Sequence, residues 1–400
     1  MAKIGTAGNA GEKIRSDCLV RIERISSGGI TINLDSKVDA LYGRSIRELT
    51  MSVLEHFGVA HARVEILDSG ALEFVLAARL EAALKQVIKS DRVYIPDSRV
   101  QRPGRTQRDR FRFTRLYLPG NTPSMMLNAG IHDPCGIILD LEDAVAPSKK
   151  QEARFLVRNA LGSVDFYGAE RMVRINQLPE GLTDLEYVIP VDPDLLLIPK
   201  VESPDEIHSV NEYIYKLSGG SGRGIYLMPI VESALGAEHA YQIACSAENV
   251  VAMAIGLEDY TVSLGVNRTD AGDESLYART RLINACKAAG IQAIDSVYAD
   301  VGNEEGLRET ARISKGLGFE GMGCIHPRQI PVIHDVFKPG EQELLRAKQI
   351  VLAYEQAEAA GLGVVSLGTK MIDPPVVKRA LQTIELAVKM NLLPENWKDE

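Results

Sequence analysis

Short runs of apolar residues alternate with longer amphipathic stretches from Arg115 onward. The runs have the length and composition of buried parallel strands, and a helical pattern follows each of them. The eight runs are 116–118, 136–139, 172–175, 195–198, 225–231, 250–255, 291–294 and 321–325. Eight strand-helix units over roughly 220 residues fit a (β/α)8 barrel, because an open doubly wound sheet has about five or six strands. The pattern therefore predicts an α/β fold with a TIM barrel at residues 113–338.

The first ninety residues follow a different pattern. Period-two alternation predicts strands at 18–25, 29–34 and 63–67, and helical periodicity predicts helices at 40–57 and 71–88. A turn at Asp68-Ser69-Gly70 separates the last strand from the last helix. Residues 1–90 are therefore predicted to form a small α+β domain with its own core.

Two long helical patterns, 341–360 and 375–390, predict a C-terminal helical extension at residues 339–400. The turn 361–363 and the segment Lys370–Asp373 lie between them. An extension of this size is small for independent folding, so we expect it to pack on the barrel or on a neighbouring subunit.

Arginines are concentrated between the N-terminal domain and the barrel. Seven arginines and two prolines lie between Arg92 and Arg112, with few apolar residues among them. This composition predicts an exposed linker at residues 91–112. Such a charge run is usually a solvated tether, and the alternative is a basic strap that contacts the phosphates of a bound ligand.

Composition and charge exclude several classes of function. The net charge of -9 argues against a generic nucleic-acid binder, because affinity for phosphate backbones comes from clustered Lys and Arg. The five cysteines form no C-x-x-C pair, which suits a reducing compartment and makes a disulfide scaffold or zinc site unexpected. The N-terminus has no hydrophobic signal core, and no segment approaches the ~20 apolar residues of a membrane span. We expect a cytoplasmic protein without nucleic-acid or membrane partners.

Polar residues follow the ends of several predicted strands. Three carboxylates, in the segment Asp140–Asp143, come directly after the run 136–139. Parallel strands of a barrel end at one mouth, where active sites are built. We therefore expect one ring of polar groups there, contributed by Asp140–Asp143, Arg174, Asn176, Lys200, Glu232, Glu258, Asp259 and His326.

Glu232 and Asp259 end the fifth and sixth predicted strands, within reach of a single ion. Two carboxylates without His or Cys favour a hard cation completed by water and substrate oxygens, so Mg²⁺ or Mn²⁺. The alternative is that each acid caps the helix that follows it. If Glu232 and Asp259 hold a metal, Glu142 and Asp143 would orient metal-bound water or a ligand.

Arg174, Lys200 and His326 are the remaining candidates at the mouth. The Arg174 guanidinium could stabilise negative charge developing on oxygen, or pair with Glu142 or Asp143. Lys200 could form a Schiff base, but a lysine among carboxylates is more often protonated and paired. His326 is either a ligand-binding residue or a buried hydrogen-bonded histidine. No G-x-S-x-G elbow, P-loop or G-x-G-x-x-G follows a strand, which leaves hydrolase, kinase and Rossmann functions unsupported.

These motifs resemble the citrate lyase β-subunit family of HpcH/HpaI aldolases, which includes malyl-CoA and citramalyl-CoA lyases. The matching stretches occur in family order over about 290 residues, including the tail: 115–120, 140–143 with Lys150 and Arg154, 173–176, 199–202, 231–232, 256–259 and 324–327. The resemblance implies that Glu232 and Asp259 bind Mg²⁺ and that Arg174 holds an oxo-acid carbonyl. It also implies that Glu142 and Asp143 support the metal site. We expect Glu142 to be catalytic together with Arg174, and Arg174, Asp143, Lys200 and Arg115 to bind the substrate.

The tail carries the Met-Ile-Asp motif of the same family as Met371-Ile372-Asp373. In the CoA-linked relatives this aspartate completes the site of a neighbouring subunit as an acid or base. The resemblance thus makes Asp373 a catalytic candidate and predicts a homotrimer or hexamer. The alternative is a helix N-cap, which an Asp before Pro374 would suit. The family usually has a small residue and then Pro after this Asp, whereas two prolines follow here.

The first ninety residues resemble the acyl carrier subunit of citrate lyase, in the patches 17–22 and 68–72. In that family a serine, typically two residues before an Asp, carries phosphoribosyl-dephospho-CoA. Arg15 occupies that position here, and Ser16 lies immediately before Asp17. Either the attachment point has shifted by one residue to Ser16, or the domain no longer carries the arm.

The resemblance implies a Mg²⁺-dependent carbon-carbon lyase that cleaves a 3-hydroxyacyl thioester. The leading substrate is a citryl thioester, and its products would be oxaloacetate and an acetyl thioester. The substrate would be an acyl-carrier or CoA thioester, with a CoA-transferase (α) subunit as a possible partner. A lyase for free malyl- or citramalyl-CoA is the alternative. A non-catalytic binding or assembly protein is the third hypothesis, and the complete set of acids and Arg174 argues against it.

Overall fold

The structure, a computed structural model, describes residues 3–97, 104–222, 224–359, 365–367 and 370–398. Two compact units are present, Met1–Ile333 and His334–Glu400. The first unit holds the N-terminal domain and the barrel, and the second holds the C-terminal helices. No helix among the described residues has both the length and the apolar character needed to cross a membrane.

The N-terminal domain is a four-stranded mixed sheet with two helices. Its elements are β1 (Ile4–Gly8), β2 (Cys18–Arg24), β3 (Ile30–Ser36), α1 (Asp39–His56), β4 (Ala62–Asp68) and α2 (Glu73–Val87). The strand order is β1-β2-β4-β3, and only the β3–β4 pair is parallel. The predicted α+β domain is confirmed. The pattern missed β1, whose sequence IGTAG has little alternation to detect.

Eight parallel strands form the barrel predicted from the apolar runs. They are β5 (Thr114–Pro119), β6 (Gly136–Asp140), β7 (Glu170–Arg174), β8 (Leu195–Ile198), β9 (Tyr226–Val231), β10 (Ala252–Ile255), β11 (Gln292–Ile294) and β12 (Met322–Cys324). The sheet runs in the order β11-β10-β9-β8-β7-β6-β5-β12, and a parallel bridge between Asp295 and Met322 joins its ends. The (β/α)8 fold is therefore confirmed.

Among the described residues, ten α-helices accompany these strands. They are α3 (Pro123–Met126), α4 (Lys150–Ser163), α5 (Glu180–Val188), α6 (Pro204–Leu217), α7 (Ala234–Glu238), α8 (Ala240–Ala244), α9 (Leu257–Leu264), α10 (Leu276–Ala289), α11 (Glu304–Leu317) and α12 (Gln329–Phe337), the last of which spans the boundary between the units. Apolar side chains such as Ile138, Met172, Leu197 and Met228 fill the barrel interior. A filled interior leaves the rim as the place for chemistry.

The arginine-rich segment is described at residues 91–97 and 104–112, and it is exposed over most of both parts. Arg112 is fully buried, and its guanidinium donates to both Glu170 oxygens at 2.8 Å. Arg110 donates to the backbone carbonyl of Gly168 at 2.6 Å, and Arg108 donates to that of Glu248. These partners precede or begin barrel strands, so this segment crosses the end opposite the mouth.

Residues 104–109 are exposed except for the half-buried Thr106, as expected for a linker, whereas Arg112 is buried. A phosphate-binding strap would lie near the mouth, and residues 104–112 do not. Carboxylate and carbonyl acceptors at the closed end of the barrel fasten this part of the segment through Arg108, Arg110 and Arg112. Arg99 and Arg102 lie outside the described residues.

The second unit consists of α13 (Glu341–Ala359), β13 (Val365–Leu367), β14 (Lys370–Ile372) and α14 (Pro374–Lys389). The two strands pair antiparallel. The unit has an apolar cluster of its own, which includes Ile350, Ile384 and Trp397. The predicted turn at 361–363 lies outside the described residues.

Candidate active site

The C-terminal ends of the barrel strands bring together most of the residues predicted for the site. A cavity of about 390 Å³ opens there. Its lining includes Arg115, Tyr117, Asp140, Asp143, Arg174, Glu232, Asp259, Asp295 and Ser296. Glu142 and Lys200 adjoin it through ion pairs with Arg174 and Asp259. Most of the polar residues predicted at the barrel mouth therefore line or adjoin this cavity, whereas Asn176, which donates to Asp184 at 2.8 Å, and His326 are not among its lining residues.

Arg174, the last residue of β7, is held by the acids that follow β6. Its Nε and Nη2 donate to the two oxygens of Asp140 at 2.7 and 2.6 Å. Its Nη1 lies 2.9 Å from Glu142 and 3.4 Å from Asp143. The sequence predicted the last two pairs, but the bidentate partner is Asp140, which was not singled out. This clamp fixes the direction of the guanidinium.

Glu142 is buried at the centre of the cluster, with 5% of its surface exposed. Burial raises the pKa of Glu142 to about 7, although the charges of Arg174 and Lys200 oppose the shift. Its Oε1 lies 3.7 Å from Lys200, while its Oε2 makes no hydrogen bond despite the Arg174 ion pair. The carboxylate is therefore incompletely satisfied.

Lys200 follows β8 and bridges two acids. Its Nζ lies 3.3 Å from Asp259 and 3.7 Å from Glu142. Burial lowers the pKa of Lys200, but these two carboxylates outweigh burial and raise it overall. A raised pKa keeps the amine protonated, whereas a Schiff-base lysine must be neutral to attack. The contacts therefore favour a protonated, ion-paired Lys200 over a Schiff-base lysine.

Glu232 and Asp259, the predicted metal ligands, both line the cavity. Burial, the charge of Glu142 and the neighbouring Asp259 carboxyl group raise the pKa of Glu232 to about 8. Gly256 makes room for Glu232, since a Cβ there would lie 2.7 Å from its carboxylate. Lys200 contacts both acids, through its backbone N–H to Glu232 at 3.2 Å and its Nζ to Asp259 at 3.3 Å, and a bound cation would neutralise them further.

The alternative of helix capping fails for Glu232. Ser233 is the N-cap of α7, and its side chain accepts the Gly236 N–H at 3.1 Å. Within the described residues, no group of three His, Cys, Asp or Glu side chains could hold a metal ion. Two carboxylates such as Glu232 and Asp259 suit a hard cation whose other ligands would be water and substrate oxygens.

Arg115 is a buried cation on the cavity wall, within β5. It is 1% exposed, and burial lowers its pKa. Its Nη1 lies 3.0 Å from the Met228 sulfur, and its Nε has no hydrogen-bond partner. A buried guanidinium with spare donors suits an anionic group of a ligand.

Sequence reasoning missed Tyr117 and Asp295–Ser296 in the cavity wall. The Tyr117 ring centre lies 5.3 Å from the Arg174 guanidinium carbon, a cation–π contact. Tyr117 stands two residues after Arg115 in the same strand, so strand periodicity could have placed both on one face. Asp295 and Ser296 directly follow β11, a position that was recognised as informative for the other strands.

Three predicted residues lie elsewhere. His326 is half-buried, and its Nδ1 accepts the Arg328 N–H at 3.1 Å. Asp373 is the N-cap of α14 in the second unit, where it accepts the Val376 N–H at 3.2 Å. Ser16 is half-buried in the turn before β2. The cap expected for Asp373 is confirmed, and its catalytic role stays a prediction.

Comparisons with known proteins agree with this geometry. A family model described as HpcH/HpaI aldolase/citrate lyase matches residues 114–327. An acyl-carrier model, described as malonate decarboxylase delta subunit (MdcD), matches residues 6–87. Citrate lyase subunit beta of Leuconostoc mesenteroides subsp. cremoris is 37% identical over 284 residues, covering 70% of this chain and 94% of the relative.

Two further comparisons extend the match. Human mitochondrial citramalyl-CoA lyase is 33% identical over 290 residues, covering 69% of this chain and 85% of the relative. The crystal structure of protein CitE from Mycobacterium tuberculosis, in complex with magnesium, acetoacetate and coenzyme A, superposes with a TM-score of 0.60 at 28% identity. That match covers 70% of this chain and 99% of the other.

Proposed function

We propose a function from the premise that this chain belongs to the HpcH/HpaI aldolase/citrate lyase family. The chain is a lyase, and its N-terminal domain is acyl-carrier-like. Its reaction is the Mg²⁺-dependent cleavage of a carbon-carbon bond in a 3-hydroxyacyl thioester. The leading substrate is a citryl thioester, which would yield oxaloacetate and an acetyl thioester, and malyl- or citramalyl-CoA is the alternative.

One observation carries the proposal: a clamped guanidinium and a pair of carboxylates line the same cavity. Arg174 is oriented by Asp140 and Glu142, while Glu232 and Asp259 lie on the cavity wall. Glu232 and Asp259 would hold the Mg²⁺, with Glu142 and Asp143 oriented toward its waters. When bound, the ion would act as a Lewis acid on the oxygens of the substrate.

The residues of the chain then have distinct tasks. Arg174 would donate to the oxygen that becomes the oxo-acid carbonyl, where it stabilises negative charge during cleavage. A base removes the proton of the 3-hydroxyl group, the bond between C2 and C3 breaks, and the resulting thioester enolate takes a proton at C2. Asp373, contributed by a neighbouring copy of the chain, is the proposed acid or base.

Substrate choice would depend on anionic groups beyond the reacting atoms. The spare donors of Arg115 and the bridging ammonium of Lys200 are the cations available for substrate carboxylates. A citryl thioester carries one carboxylate more than a malyl thioester, so it can use both. This difference favours the citryl substrate.

The carrier-like domain adds a proposal about the thioester. Ser16 would carry a phosphoribosyl-dephospho-CoA arm, which a CoA-transferase (α) subunit would load. A chain without the arm would act on free CoA thioesters. The proposed assembly is a homotrimer or hexamer, because Asp373 would serve a neighbouring site, and the proposed location is the cytoplasm.

A panel of free thioesters tests the reaction. Purified chain with Mg²⁺ is given citryl-CoA, citramalyl-CoA and malyl-CoA in separate assays, and the oxo acid and acyl-CoA products are measured by liquid chromatography. The proposal predicts fastest cleavage of citryl-CoA. Faster cleavage of either other thioester would shift the substrate assignment, and no cleavage of any would leave the binding-protein hypothesis. Intact-mass spectrometry with digestion tests the arm on Ser16.

A further inference from the structure

Two helices at the junction between the carrier-like domain and the barrel are buried on all sides. In α2 the eleven consecutive residues 74–84 are buried, and in α4 the residues 152–162 are buried. A helix at the surface of an independent domain buries one stripe only. Each helix therefore packs on its own sheet with one face and on the other domain with the opposite face.

Charged side chains cross this junction without access to water. Arg158 of α4 donates to Glu81 of α2 at 2.5 Å, and both side chains are at most 2% exposed. Asn159 of α4 donates to the Phe74 carbonyl at 3.1 Å. Separating the domains would leave these buried groups without their partners, which opposes any swinging of the carrier domain.

A second buried network reaches the turn that contains Ser16. Arg79 of α2, with no exposed surface, donates to both oxygens of Asp17 at 3.0 Å. The same guanidinium lies 3.7 Å from Glu152 of α4. Glu152 in turn accepts the Gly8 N–H at 2.6 Å. Asp17, next to Ser16, is therefore joined to the barrel through a single arginine.

This network lies at the catalytic end of the barrel. Arg79 donates to the carbonyl of Asn121, in the loop that follows β5, at 3.3 Å. At the start of α4, the Lys150 ammonium donates to the carbonyls of Leu141 and Glu142 at 3.2 Å. Loops that follow strands, and the helices they lead into, surround the mouth of a (β/α)8 barrel. The Ser16 turn consequently borders the mouth of its own barrel.

Ser16 itself is held rigidly. Its backbone lies in the left-handed region at φ 55°, which a serine seldom adopts. Its N–H donates to the Ser69 carbonyl at 3.0 Å, and the Ser69 N–H donates to the Asp17 carbonyl at 3.0 Å. The residue is half-buried, so it keeps some access to solvent. The turn is therefore preorganised to present a group attached to Ser16.

We propose that the carrier-like domain is a fixed part of the lyase, and that its Ser16 turn presents a thioester arm to the barrel of the same chain. The arm moves and the domain does not. This inference rests on the proposed function, since it needs an arm on Ser16. The contrasting arrangement is a carrier domain that moves on a flexible tether, which could deliver its thioester to any barrel of an assembly.

Hydrogen exchange on the full chain tests whether the domain is fixed. Amides in α2 and α4 should exchange equally slowly, because the two helices can open only together. The exposed helix α1 gives an internal reference for local opening. Exchange of α2 at least tenfold faster than exchange of α4 would show that the carrier domain undocks, and would overturn the proposal.

Mixed assemblies test delivery within one chain. Chains with Ser16→Ala and chains with Asp259→Asn, separately tagged, are co-purified as heteromers. The arm thiol of the Asp259→Asn chain is acetylated, oxaloacetate and Mg²⁺ are added, and its intact mass is followed. The wild-type arm should gain the mass of oxaloacetate by condensation, the reverse of cleavage, whereas the arm in the mixed assembly should stay unchanged.

The outcomes separate this inference from the proposed function. Gain of oxaloacetate mass in the mixed assembly would show delivery between chains and overturn the proposal. Cleavage of free acyl-CoA in the same preparation verifies that the intact barrels are active. A wild-type chain without any adduct on Ser16 would also overturn the proposal, while the lyase reaction on free acyl-CoA would stand.

Discussion

The domain junction and the active site both bury arginines among carboxylates, but they match charges differently. At the junction Arg158 pairs with Glu81, while Arg79 and Lys149 share Asp17 and Glu152. At the closed end of the barrel Arg112 pairs with Glu170, and in these clusters the acids do not outnumber the bases. At the mouth the side chains of Arg174 and Lys200 pair with four carboxylates, and a fifth, Glu232, accepts the Lys200 N–H at 3.2 Å. Matched pairs hold structure together, whereas surplus charge prepares a site for a ligand.

The largest expected effect is the loss of turnover when a surplus carboxylate is removed. We expect Asp259→Asn to lower kcat/KM by about 10³-fold, because the proposed Mg²⁺ would lose one of its two protein ligands. The assay is cleavage of citryl-CoA at saturating Mg²⁺. Asp205→Asn, at a side chain that is 95% exposed, is the matched control and should keep its activity. Near-native turnover of Asp259→Asn would remove Asp259 from the site.

Neutralising a matched carboxylate should affect stability instead. Glu81→Gln leaves Arg158 buried without its counter-charge, so the free energy of unfolding should fall by about 3 kcal/mol. Urea denaturation measures this change. Glu48→Gln breaks the exposed pair with Arg44 in the same domain and should cost less than about 0.5 kcal/mol. Equal losses in the two variants would refute the contrast between the junction and an exposed surface.

The two ends of β7 offer a test within a single strand. Arg174→Lys replaces the bidentate clamp on Asp140 by a single point charge and should lower kcat by about 10²-fold. Arg171 makes the same kind of bidentate pair with Asp194 at the opposite end of the barrel. Arg171→Lys should leave kcat within about twofold. Steady-state kinetics are measured on both variants. Equal losses of kcat would show that any bidentate arginine pair in β7 affects turnover, and would contradict a specific role for Arg174 at the mouth.

The smallest effect is a pH-dependent stabilisation by Mg²⁺. Glu232 has a pKa of about 8 in the folded chain against an ordinary value of 4.5. Between these values the folded state binds more protons than the unfolded state, so metal-free stability should fall as pH rises from about 4.5 to 8. Mg²⁺ binds the deprotonated pair, so it should raise Tm more at pH 8 than at pH 6. An equal rise in the wild type at both pH values would contradict the prediction.

The sequence predicted the barrel because its strands are continuous apolar runs of recognisable length. The polar residues at or shortly after the ends of those runs, such as Arg174, Glu232 and Asp259, could be placed at one mouth for the same reason. The sequence did not predict Asp140 as the bidentate partner of Arg174. Asp140, Glu142 and Asp143 are chemically equivalent in the sequence, and only the backbone conformation after β6 determines which of them faces Arg174. The strand β1 was missed because its small residues show no alternation.

The fixed carrier domain and the buried pairing of Arg112 could not be predicted from local patterns. Arg112 and Glu170, or Arg158 and Glu81, are distant in sequence and carry no marker of their pairing. A charge run is usually solvated, and only the fold reveals that carbonyls at the closed end of the barrel accept from Arg108 and Arg110. Both features depend on contacts between residues that are distant in the sequence.

Metal dependence of cleavage tests the central claim most directly. The chain is stripped with EDTA, Mg²⁺ is added back in steps, and oxaloacetate and acetyl-CoA formed from citryl-CoA are measured together. We predict no turnover after stripping, saturable recovery with Mg²⁺ and equal amounts of the two products. Turnover that persists without divalent metal, or no cleavage at saturating Mg²⁺, would contradict a Mg²⁺-dependent citryl thioester lyase at this cavity.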